Sequence, residues 1–191
     1  YAEAEPLYRE ALESHRTRLR AGHGDTTAIG ASLARLLADW AWTERISLSD
    51  TQNAKPENAQ HALEAESLLR DCLATRLRGP EAGHWRTTGD VPSRLGSALV
   101  AVAVTDSSLA SGARMAKLVE AEPLLLAGNE ALAQGENVDA KYQRDSLIRL
   151  VHLYEAWDKP DQAAAWKRKL ADFDKADVPS KAATTEAPAN P

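Results

Sequence analysis

"AEPLYREAL", residues 4–12, decides how this chain is read. "AESLLRDCL" follows at 65–73 and "AEPLLLAGN" at 121–129, 61 and 56 residues further on. The slide of 61 also lays "AGHGDTT" (21–27) over "AGHWRTT" (82–88) without a gap. Two islands of identity in one register mark an internal repeat, the feature to seek before any other. A degenerate fourth copy, "QAAAWKRKL" at 162–170, comes 42 residues after the third. The shortest spacing approximates the basic unit. The longer ones imply polar insertions, placed at 47–60 and 105–114.

Each unit reads as two helices. Leu7/Tyr8, Ala11/Leu12, His15 and Leu19 recur at three- and four-residue steps, as do Leu68/Leu69, Cys72/Leu73 and Leu77. Pro6 and Pro123 are expected near helix starts, where the first N–H groups lack intrahelical partners. A second type of helix carries Leu33, Leu36, Leu37 and Trp40, with Asp25 or Thr26 as its cap. Its counterparts fall at about 91–104, capped by Asp90 with Pro92 in the first turn, and at about 140–157. A last helix, entered through "DKPDQ", is expected to end near 175.

Composition agrees with a helical core. The 191 residues are 43% apolar and 27% charged, with a net charge of −5 and no basic face of the kind nucleic acid requires. No apolar run approaches the roughly eighteen residues that span a bilayer. Cys72 is the sole cysteine, which excludes an internal disulfide, and it reads as a small buried residue.

"YAEAEPLYREALESHRTRL…GH…T" resembles the tetratricopeptide repeat in its kinesin-light-chain-like form. "HWRTTGDVPSRLGSAL", "LVEAEPLLLAGNEAL" and "LIRLVHLYEAWDKPDQAAAWKRKL" look like the C-terminal repeat region of bacterial serine/threonine protein kinases. The resemblance implies an all-α, right-handed α-solenoid of helical hairpins. Each recurring phrase is then the second helix of a hairpin, burying its stripe against stacked neighbours. Residues 1–176 form the array, which begins mid-repeat, and 177–191 are expected to be a disordered tail. Lacking an upstream partner, the first helix should leave Leu7, Leu12 and Leu19 partly unsheltered and open to self-association.

No catalytic constellation stands out. Glu3/Glu5 and Glu64/Glu66, two apart on a helix, do not face one another and read as solvated. His23 and His84 are equivalent loop residues that pack on the hairpin or cap a helix end. Trp40 and Trp157 continue apolar faces, whereas Trp42 and Trp85 lie near helix ends. No kinase element occurs in these residues; the resemblance of 84–170 implies the alternative setting, a regulatory or substrate-recruiting arm of a serine/threonine kinase whose catalytic domain lies upstream. The expected function is therefore a protein–protein interaction module in the cytoplasm, without enzyme activity, cofactor, metal, nucleic acid or membrane insertion. The face opposite the Leu stripe carries Ser32, Arg35 and Asp39, then Arg94 and Ser97, then Asp145, Arg149 and His152. Arg35, Asp39, Arg94 and Arg149 are the candidate peptide-binding residues. An Arg-bearing groove suits an acidic or phosphorylated peptide.

Overall fold

The computed structural model describes residues 1–19, 23–47, 56–80 and 82–183. Its helices are α1 (Ala4–Leu19), α2 (Gly24–Ser47), α3 (Pro56–Leu77), α4 (Val91–Thr105), α5 (Ser111–Gln134), α6 (Ala140–Ala156) and α7 (Pro160–Ala183). No strand occurs among the described residues. The four copies of the recurring phrase lie in α1, α3, α5 and α7.

Helices adjacent in sequence pack on one another along the chain, and α2 with α4 and α4 with α6 pack as well. The even-numbered helices therefore make one continuous layer, here called inner, and the odd-numbered helices flank it. The core lies between the layers. Leu12, Leu33, Leu37, Leu69, Leu99, Leu125, Leu150 and Leu153 are its large members. These are the positions of the helical stripe, so the burial follows from the three-and-four periodicity.

Ala11, Cys72 and Gly128 are equivalent under the slides of 61 and 56. Small residues there let helices approach. A Cβ on Gly128 would lie 2.8 Å from the Gly89 carbonyl oxygen and 2.9 Å from Ser93 Cβ. Cys72 is 2% exposed, and burial pushes its thiol pKa up, so it behaves as a small apolar side chain.

His23 and His84 cap the helices that follow them. Each Nδ1 accepts a hydrogen bond at 3.2 Å from the backbone N–H two residues on, Asp25 and Arg86. The His23 carbonyl accepts from the Thr27 N–H, and the His84 carbonyl from the Thr87 and Thr88 N–H groups. The cap at α2 is thus His23, two and three residues earlier than Asp25 and Thr26.

Three expectations are corrected. Asp90 is not an N-cap. Its backbone is helical and its side chain makes no capping bond, because the chain is already helical from a π-turn at Arg86–Asp90. Pro92 explains that turn: it has no N–H, and its ring crowds the carbonyl four residues back. Pro123 is not near a helix start but inside α5, on its exposed side. The supposed insertion at 105–114 is half helix, since only 106–110 separate α4 from α5. Extra turns were added to the front of the second helix, which moved Pro123 inward. Of the insertion at 47–60, residues 48–55 lie outside the described residues, and α3 begins at Pro56.

At the chain ends, Leu7 and Leu19 are 67% and 37% exposed, but Leu12 is buried beside Gly30 of α2. Helix α7 continues to Ala183, past the expected end near 175, and residues 184–191 lie outside the described residues.

The glutamates of the repeat are not merely solvated. Arg9 binds Glu5 on its own helix and, through both terminal nitrogens, Glu64 of α3. Its equivalent Arg70 binds Glu66 and, through Nη2 alone, reaches Glu120 of α5. Lys117 adds a second cation to Glu66. A ladder of ion pairs therefore joins α1, α3 and α5 with the period of the repeat. It lapses at the next step, where the equivalent positions hold Leu126 and Gln162.

Candidate interaction surface

The three inner helices each offer polar or aromatic residues at i, i+4 and i+7, which share one face. They are Arg35, Asp39 and Trp42 on α2; Asp90, Arg94 and Ser97 on the α4 segment; and Asp145, Arg149 and His152 on α6. The packing of α2 on α4 and of α4 on α6 brings the triplets together.

The arginines are engaged. Arg94 Nε donates to Asp90 Oδ1 at 2.7 Å, and both side chains are largely shielded. Arg149 is 7% exposed, and its Nη1 donates to Ser93 Oγ at 3.2 Å. Burial holds the Arg149 pKa below the ordinary value. The charge of Arg94 adds to that, against Asp90, Asp145 and Asp39. Arg35 is half-buried on the same face.

The carboxylates are placed differently. Burial pushes the Asp39 pKa up and Asp145 reinforces the shift, while Arg149, Arg35 and Arg94 oppose it. Asp39 is thus near enough to feel all three candidate arginines. Asp39 and Asp145 form no ion pair among the described residues. Both line a cavity of about 180 Å³ with Trp42, Ser97, Arg149, Ile148, His152, Thr43 and Tyr1. The Trp42 and His152 rings stack across α4 with centroids 4.0 Å apart and planes 21° apart.

Sequence reasoning placed the α6 triplet and Arg94 and Ser97 of α4 on this face but missed Trp42, two residues past Trp40. It also missed Asp90, taken for a cap. The i, i+4 spacing of Asp90 and Arg94 was the signal available. Among the described residues, no group of three or more His, Cys, Asp or Glu is arranged to hold a metal, and no helix is long and apolar enough to cross a membrane.

No family model matches the chain, and no curated protein matches it significantly. Among solved structures, the crystal structure of BtubC (BKLC) from P. vanneervenii is 20% identical, over 100% of this chain and 76% of that one, with a TM-score of 0.37. The fold assignment rests on the helices and their packing, not on that likeness.

Proposed function

We propose that this chain is a non-catalytic protein–protein interaction scaffold of tetratricopeptide-like hairpins. Its binding face is the inner layer, with Arg35, Asp39, Arg94 and Arg149 within it. One observation carries the reading: the three inner helices each bring part of an i, i+4, i+7 set to one cavity, Asp39 and Trp42 from α2, Ser97 from α4, and Asp145, Arg149 and His152 from α6. A repeat array gains a continuous face in this way, because every hairpin adds the same helix at the same pitch.

The test is capture of a partner by immobilised chain. Ser97→Trp fills the cavity from α4, and Leu126→Ala alters only the flanking layer. The scaffold reading expects Leu126→Ala to retain the partner and Ser97→Trp to lose it, with equal helix content by circular dichroism. Equal retention by both variants would sink it.

The likeness of 84–170 to kinase repeat regions motivates a second setting, as the recruiting arm of a serine/threonine kinase. There the protein bearing the array phosphorylates what the array captures. Absence of phosphate transfer to the captured partner contradicts that setting alone.

A further inference from the structure

We propose that the cavity between α2, α4 and α6 takes a cationic side chain of the partner protein, a lysine ammonium or an arginine guanidinium. The inference rests on the scaffold reading and names the chemistry of what is bound.

Size comes first. At about 180 Å³ the cavity is smaller than the roughly 300–1,000 Å³ of pockets that enclose a whole drug-sized ligand. It fits the head of one side chain arriving from a chain laid along the inner layer.

Charge comes second. The lining holds two carboxylates, Asp39 on α2 and Asp145 on α6, against one guanidinium, Arg149. Arg149 is buried and bonded to Ser93, so it is fixed in the wall. Arg94 is committed to Asp90, and neither Arg94 nor Arg35 lines the cavity. An entering anion would find one guanidinium, already bonded to Ser93, and two repelling carboxylates. An entering cation finds two acceptors that no ion pair occupies.

The aromatic wall is the third argument. Ring faces attract cations through their quadrupole, most strongly when water is displaced. Trp42 and His152, stacked on one another, both line the cavity, as does Tyr1, 52% exposed. The same chain sets Lys159 at 3.3 Å from the centroid of Trp157 and Lys169 at 3.7 Å from that of Trp166. The sequence had pointed to the opposite ligand, an acidic peptide, because arginines are visible in a sequence and their burial is not.

The experiment uses the ¹⁵N-labelled full chain and follows the Trp42 indole N–H, assigned by its disappearance in Trp42→Phe. The probes are N-acetyl-arginine-N′-methylamide and N-acetyl-lysine-N′-methylamide. The aspartate analogue serves as the anionic probe, and ethylguanidinium as the free head group. The inference expects saturable shifts with the two blocked cations. Asp39→Asn and Asp145→Asn should each weaken them by about tenfold, the scale of a lost hydrogen bond to a charged group. Asp39→Asn removes a buried charge and is expected to fold, and Asp145→Asn repeats the test from another helix. Tighter binding of the aspartate probe overturns the inference, as does a full response in both Asn variants. Binding of ethylguanidinium without the blocked amino acids assigns the cavity to a small free cation and overturns it too. A chain that captures its partner while the cavity ignores both cations leaves the scaffold standing and ends this inference. A chain that binds the cations but captures no protein supports the cavity chemistry and overturns the scaffold.

Discussion

Gly128→Ala places one methyl group in the crossing of α4 and α5. The new Cβ would lie 2.8 Å from the Gly89 carbonyl oxygen, 2.9 Å from Ser93 Cβ and 3.0 Å from Ser93 N. None of these atoms can swing aside, since each belongs to, or sits directly on, a buried helical backbone. Helix propensity favours alanine over glycine by about 1 kcal/mol. Overpacking typically costs about 1–3 kcal/mol, and contacts this short with two residues of the facing helix put this site at or above the top of that range. The net expectation is a loss of about 2 kcal/mol. For a chain of this length, about 2–4 °C is lost per kcal/mol, so Tm should fall by roughly 4–8 °C. Gly112→Ala, on the same helix with nothing within 4 Å of its added Cβ, is the control and should hold or raise Tm. Thermal melts by far-UV circular dichroism measure both. If Gly128→Ala melted at or above the wild type, the close approach of α4 and α5 would be wrong. The reading of Ala11, Cys72 and Gly128 as equivalent small positions would fall with it.

Three further outcomes are expected. Burial raises the Asp39 pKa above 3.8, so its folded form holds its proton over a window in which the unfolded chain has released it. Its ionised form therefore costs stability at neutral pH. Asp39→Asn should raise Tm at pH 7 and lose that advantage below about pH 3.8, in melts across pH; an unchanged Tm at pH 7 counts against the burial of Asp39. Arg70 and Glu120 are both 43% exposed, so a double-mutant cycle in urea should give a coupling of about 0.2–1 kcal/mol that shrinks in high salt. A coupling that salt leaves unchanged would contradict the exposed placement of that pair. His84→Ala removes the Nδ1 acceptor at the Arg86 N–H and should cost about 0.5–2 kcal/mol in urea melts, with His23→Ala behaving alike at its equivalent cap. No loss in either variant would remove the histidines from the capping role.

The repeat was legible because hydrophobic spacing and equal separations are properties of the chain alone. Leu33, Leu37 and Leu69 were placed on apolar helix faces by their periodicity, and burial agrees. What stayed hidden depends on which helix faces which. Arg9 meets Glu64 at a separation of 55 residues and Arg70 meets Glu120 at 50, so nothing local announces either pair. The recurrence of both partners in the same phrase was the one available sign. Pro123 misled because proline marks helix starts more often than interiors, and α5 had gained turns in front of it. The inner face was half legible. The polar residues of α4 and α6 stand out opposite the apolar stripe, but which arginine is tied to which neighbour depends on the crossing of α4 with α6. Arg149 reaches Ser93 across that crossing, 56 residues away.

The central claim is that a protein partner lies on the inner layer. A photoreactive benzoylphenylalanine introduced in place of Ser97 on α4, or in place of Leu126 on the flanking side of α5, tests it directly. After irradiation with the partner present, the account predicts a covalent adduct from position 97 and none from position 126. Adducts from position 126 alone would contradict it.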